Sequence, residues 1–185
     1  MRKFAYMLRS KTTVAITFAI ILFFSSLIFP NAISAQASLD TSFNGTGKVT
    51  TSLGVLKSWA NDAVLQSDGK IVAVGGYGVP TSDNSADRQV AVVRYNNDGT
   101  LDTTFDTDGK LITTAVAGRV SEAMAAAITT DGKILLAAWI AGGSQGNSLA
   151  LIRYNSDGSL DTTFDNDGIR VTSLPGTPIP RDMKL

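Results

Sequence analysis

The side chains best placed to do chemistry in this sequence are acids at short, repeated spacings. Asp106-Thr107-Asp108-Gly109 and Asp165-Asn166-Asp167-Gly168 present oxygens at alternate positions before a Gly bend. That pattern suits a hard cation such as calcium, which takes about six to eight oxygen ligands, and it makes Asp106, Asp108, Asp165 and Asp167 the candidate metal ligands. The strings lack the third acidic position and the distal Glu of a calcium loop. An Asx turn closing a strand connection explains the same residues, as it explains Asn96, Asp98, Asn155 and Asp157, and this is the expected reading, with no bound cofactor. A carboxylate pair of the kind glycosidases use is the other option, but almost every Asp sits at a repeated turn position, where structure suffices. The sequence has no His and no Cys, which excludes Ser-His-Asp and Cys-His nucleophiles and zinc sites built on those ligands. With no P-loop and no GxGxxG after a strand, the chain is expected not to be an enzyme and to carry no catalytic residues.

Two further residue types recur. Arg94 and Arg153 stand at the ends of apolar strands beside Tyr95 and Tyr154, and their recurrence predicts an ion pair in each copy with Asp102 or Asp161. Phe43, Phe105 and Phe164 are matching aromatic anchors, expected to pack between sheets. Trp59 and Trp139 occupy non-equivalent positions; a core role is expected for them, and an exposed Trp would instead mark a carbohydrate-binding face.

These residues belong to one sentence written twice, VAVVRYNNDGTLDTTFDTDG from Val90 to Gly109 and LALIRYNSDGSLDTTFDNDG from Leu149 to Gly168, identical at fourteen of twenty positions. A shorter version, SLDTSFNGTG, runs from Ser38 to Gly47, so the LDT(S/T)F core starts at Leu39, Leu101 and Leu160. Spacings of 62 and 59 make this a repeat protein. Each unit reads as four short strands: Lys48 to Leu53, Asp62 to Gln66, Lys70 to Gly75 and Gln89 to Tyr95 in the first, then Lys110 to Ala115, Glu122 to Thr129, Lys133 to Ala138 and Ser148 to Tyr154 in the second. The Ser67-Asp68-Gly69 and Thr130-Asp131-Gly132 turns are hairpin signals, because Gly accepts positive φ. Ala123 to Ala127 favours helix by propensity, yet its counterpart precedes the same Asp-Gly-Lys turn, so it is read as strand. Continuously apolar strands such as Ile71 to Val74, Val90 to Val93 and Ile134 to Ala138 are buried on both faces. Short antiparallel sheets stacked face to face do this, as propeller blades are. The predicted fold is all-β, a propeller-like array of four-stranded antiparallel units with two full repeats and a partial third; a stacked array or irregular sandwich is the alternative. The units lie near 39–100, 101–159 and 160–174 within a repeat region of 38–174. An irregular tail, 175–185, follows the strand Ile169 to Leu174, and the array reads as truncated.

The first 37 residues have another character. Arg2, Lys3, Arg9 and Lys11 precede the apolar run Val14 to Phe29, and Ala35-Gln36-Ala37 supplies a small-residue cleavage pattern, as in a secretory signal peptide cut before Ser38. An uncleaved anchor is the alternative, and it would be the only link to a membrane. Removing 1–37 leaves a net charge of −4 on the remainder, which argues against nucleic acid as a partner. Fifteen of the sixteen acids are Asp, the exception being Glu122, a bias toward turns.

The run R-Y-N-x-D-G-(S/T)-L-D-T-T-F, the D-G that follows it, and the Q-S-D-G-K-I-V-x-x-G hairpin together resemble the delta-60 repeat family of bacterial extracellular proteins. The resemblance extends from Leu39 to about Val171, with departures at Asn44-Gly45-Thr46 and at Ile169-Arg170. It implies a long, exported, propeller-like protein without a shared enzymatic activity, and it carries over no site residues. The expected function is an exported, non-enzymatic β-repeat module offering a structural, binding or assembly surface at the cell exterior, to a protein or glycan partner or to itself through exposed sheet edges. The alternatives are a lectin-like or polysaccharide-acting extracellular domain and a calcium-dependent surface module.

Overall fold

The computed structural model describes residues 38–79, 88–142, 146–174, 176 and 179–185; the leader 1–37 lies outside them. Eight strands form, with no helix among the described residues: β1 (Lys57–Leu65), β2 (Ile71–Gly78), β3 (Gln89–Tyr95), β4 (Lys110–Thr113), β5 (Val120–Ile128), β6 (Ile134–Ala141), β7 (Ser148–Tyr154) and β8 (Ile169–Ser173). They make two antiparallel four-stranded sheets, ordered β1-β2-β3-β4 and β5-β6-β7-β8. This is the all-β, propeller-like arrangement that the sequence predicts.

The hairpins form where the Asp-Gly turns require them. Gln66 N donates to Lys70 O and Gly69 N to Gln66 O, with Gly69 at φ 85, and Thr129 to Lys133 repeats the pattern. Burial overrides helix propensity in Ala123 to Ala127, whose small side chains fill the interior of β5. β1 and β5, the first strand of each sheet, carry a bulge at the same repeat position, Asn61 and Met124 respectively.

The phase of the sheets differs from the predicted units. β4, which opens the second sequence repeat, pairs with β3 of the first, with Val93 opposite Lys110 and Val90 opposite Thr113; β8 pairs with β7 in the same way. Val90 to Gly109 therefore joins two strands of one sheet, and the chain passes to the next sheet through residues 114–119. Residues 48–53, expected to be a strand, pair with no sheet. They lie against the first sheet as β4 lies against the second, with Tyr95 Oη meeting Thr51 Oγ1 as Tyr154 Oη meets Thr113 Oγ1. Residues 179–185 have no regular structure, as expected of the tail.

The sheets stack with opposite faces in contact. One cluster joins Val72, Val74, Val90 and Val92 of the first sheet to Ile134, Leu136, Ala138, Ile140, Ala150 and Ile152 of the second. Positions in register with Val72 and Val74 are Leu135 and Ala137, so successive sheets present alternate sets of side chains to the common core. This explains why β2, β3, β6 and β7 read as continuously apolar.

Candidate functional site

The repeated motif folds into one compact turn in all three copies. In the first full copy Asp102 Oδ1 accepts from Thr104 N (3.1 Å) and Thr104 Oγ1 (2.7 Å), Phe105 N donates to Asp102 O, and Gly109 N donates to Phe105 O. Asp161 and Thr163 reproduce the geometry, and so do Asp40 and Ser42. The two residues after Phe adopt left-handed backbone: Asp106 and Thr107, Asp165 and Asn166, Asn44 and Gly45. Asn and Gly tolerate this conformation best, so the departure at Asn44-Gly45 leaves the turn intact. Ile169-Arg170 likewise pairs normally in β8.

The predicted ion pairs form at this turn. Arg94 Nε and Arg153 Nε lie 2.6 Å from Asp102 Oδ2 and Asp161 Oδ2 respectively. The Lys of each Asp-Gly-Lys turn adds a second cation, Lys70 Nζ at 3.0 Å from Asp102 and Lys133 Nζ at 2.8 Å from Asp161. Each guanidinium also lies over the ring of its Phe, Arg94 at 4.7 Å from Phe105 and Arg153 at 4.6 Å from Phe164, a cation–π contact. Burial pushes the Asp102 carboxyl up, but hydrogen bonds from Thr104 and Lys70 and the charge of Arg94 outweigh it and hold the group well below the usual carboxylate range. Lys133 and Thr163 hold Asp161 low in the same way. The Lys contribution was legible in hindsight: Lys follows Asp-Gly in both hairpins.

The two copies differ in their surroundings. Arg94 is 5% exposed, and its Nη1 donates to Ser156 O in the turn after β7; Arg153 is 26% exposed, and among the described residues its Nη1 has no such acceptor. Phe105 is fully buried and Phe164 half-buried. At the seam Asp106 N donates to Asp157 O (2.9 Å), and a Cβ on Gly158 would lie 3.1 Å from the Phe105 ring. Tyr154 Oη reaches Thr113 Oγ1 at 2.8 Å, and burial raises the Tyr154 pKa.

A second polar cluster joins β1 to β5. Glu122 Oε1 accepts from Trp59 Nε1 (2.6 Å) and Asn61 Nδ2 (2.8 Å), and Arg88 Nη1 stands 3.1 Å from Oε2. Asp62 Oδ2 accepts from Ala126 N at 2.9 Å. The bulge aims Asn61 across the seam, where it also donates to Ala123 O. Both Trp residues are half-buried rather than core. They are also related: Trp59 pairs with Gly76 and Trp139 with Glu122, so the aromatic ring has changed strands between copies. A comparison of equivalent positions in sequence cannot find a swap across a strand pair.

The four candidate metal ligands are spread along two turns. Asp108 Oδ1 caps Lys110 N (2.9 Å) and Asp167 Oδ1 caps Ile169 N (2.8 Å), which is Asx-turn geometry. Asp165 Oδ1 meets Arg170 Nη1 at 3.0 Å. Among the described residues no group of three or more His, Cys, Asp or Glu is placed to hold a metal.

Two stretches of the chain, residues 66–105 and 129–164, match the model of a family described as a domain of unknown function (DUF5122), β-propeller. Both matches begin at the hairpin turn and end at the Phe of the LDTTF turn. No curated protein and no solved structure matches the chain. The match supports a β-propeller-like repeat family, and its description assigns no activity.

Proposed function

We propose that this protein is an exported, non-enzymatic β-repeat module of the delta-60 kind that serves as a structural or assembly surface outside the cell. The observation that carries the reading is the fate of the repeated polar residues. Asp102, Arg94 and Lys70, like Asp161, Arg153 and Lys133, satisfy one another within their own sheet, so packing accounts for their recurrence. The basic and apolar leader with its Ala35-Gln36-Ala37 pattern supports export.

The test is expression with a C-terminal epitope, followed by fractionation and determination of the N-terminus. A product in the medium or at the surface that begins at Ser38 supports the reading; a full-length product retained inside the cell overturns it. Reducing ends released from extracellular polysaccharide, and lost in a single Asp→Asn variant, would overturn the non-enzymatic part.

A further inference from the structure

The seam between the two sheets shows what each face of a unit is built to meet. The first sheet offers Val72, Val74, Val90, Val92 and Arg94, all buried against the second. At the equivalent positions the second sheet carries Leu135, Ala137, Leu149, Leu151 and Arg153, with Trp139 in the place that Gly76 holds in the first. Leu135, Trp139, Leu149, Leu151 and Arg153 remain half-buried, and the buried Trp139 Nε1 has no acceptor among the described residues. This face is apolar and larger than its counterpart.

The reverse face of the first sheet is correspondingly hollow. Where the second sheet puts Leu136, Ala138 and Ile152 into the seam, the first has Ala73, Gly75 and Val93, and these line a groove of about 250 Å³ beneath residues 49–53. Large and small side chains have exchanged sides relative to the seam inside the chain. The two open faces are therefore complementary in volume.

The arm 39–53 shows how such a contact is made. Asn44 N donates to Asp98 O at 2.7 Å as Asp106 N does to Asp157 O. Tyr95 Oη meets Thr51 Oγ1 at 2.6 Å as Tyr154 Oη meets Thr113. Phe43 packs on Gly99 as Phe105 packs on Gly158. The arm thus holds, on the first sheet, the position that a preceding unit's LDTTF turn and outer strand would take.

We propose that the outward face of the second sheet docks on the first sheet of a second copy of this chain, with 160–173 displacing that copy's own arm 39–53. The inference rests on the proposed assembly role and names its partner. Arg153 Nη1 then meets Asn97 O of the second copy, as Arg94 meets Ser156, and Asp165 N meets Asp98 O of the second copy. The contact is head-to-tail, so it closes into a ring when the rotation permits. Propellers hold about four to eight blades, and two to four copies of the two described sheets make up that number.

Sedimentation velocity across a concentration series tests this on the chain purified from whichever fraction contains it, so failure of export and failure of association are separate results. Concentration-dependent dimers or larger closed species are expected. Leu151→Asp, on the half-buried outward face, weakens association at least tenfold, with Arg153→Ala as the second variant should Leu151→Asp misfold. Phe43→Ala, which loosens the arm, strengthens association about tenfold. Hydrogen exchange on the assembled species shows 39–53 losing protection while 160–173 gains it. Monomers at every concentration in both the parent and Phe43→Ala overturn the proposal, as does association indifferent to both Leu151→Asp and Arg153→Ala.

Discussion

Replacing Arg94 and Arg153 in turn by Met compares one motif position in two environments. Removing one member of a buried ion pair costs about 3–5 kcal/mol when the other charge is stranded. Asp102 is not fully stranded, because Lys70 Nζ remains at 3.0 Å and Thr104 still donates. Met also keeps most of the aliphatic stem. The loss for Arg94→Met is therefore about 2–3 kcal/mol, made up of the pair, the contact with Phe105 and the Ser156 carbonyl left without its donor. Arg153 is a quarter exposed and reaches no acceptor on another sheet among the described residues, so Arg153→Met costs about 0.5–1 kcal/mol. Urea unfolding followed by circular dichroism measures both, with an unchanged slope as the sign that the denatured state is the same. For a domain of this size the difference corresponds to about 2–10 °C in melting temperature. Adding Asp102→Asn to Arg94→Met should cost less than the sum of the two single losses, since the two act as a unit, with the Lys70 contact accounting for the further loss. Equal losses at Arg94 and Arg153, or fully additive effects of Arg94→Met and Asp102→Asn, would refute the assignment of Arg94 to the seam.

Three other outcomes follow from the geometry. Asp102 and Asp161 have folded pKa values below those of a free carboxyl, so the stability they contribute is fully present above pH ~4 and is lost as pH falls through the lowered values; acid titration of the unfolding free energy should show the decline beginning there, and a flat profile to pH ~2 would contradict it. Gly75→Ala places a Cβ 2.0 Å from Trp59 O and costs about 3 kcal/mol through displacement of β1, whereas Gly132→Ala, with open space but φ 81, costs about 1 kcal/mol; thermal melts should rank them in that order. Chelator should leave the melting temperature unchanged if Asp106, Asp108, Asp165 and Asp167 act as turn residues, and a clear fall would restore the calcium reading.

The turns were the most legible part of the sequence. Asp-Gly at fixed offsets, and Asp followed two residues on by Ser or Thr, carry their hydrogen bonds locally, so Gly69, Gly132, Asp98 and Asp157 could be placed from neighbouring residues alone. The Arg–Asp pairs were legible because the two residues recur together at a separation of eight. Pairing partners were not. Lys110 to Thr113 alternates in the same way whether it lies beside β3 or opens a new sheet, and only the ladder to Val90 through Val93 settles the choice. The Trp59–Glu122 contact was hidden for a related reason, since it spans sixty-three residues and joins unlike residues at the same position of two repeats.

The stagger between sequence repeat and sheet governs how such a chain can be shortened or lengthened. A cut at the repeat boundary near residue 100 would tear β4 from β3 and leave the first sheet a strand short, however complete the excised unit looked in sequence. A cut within 114–119 falls between finished sheets. Recombination that adds or removes whole units without damage is confined to that six-residue window and its equivalents, and an engineer grafting these units would choose the same joint.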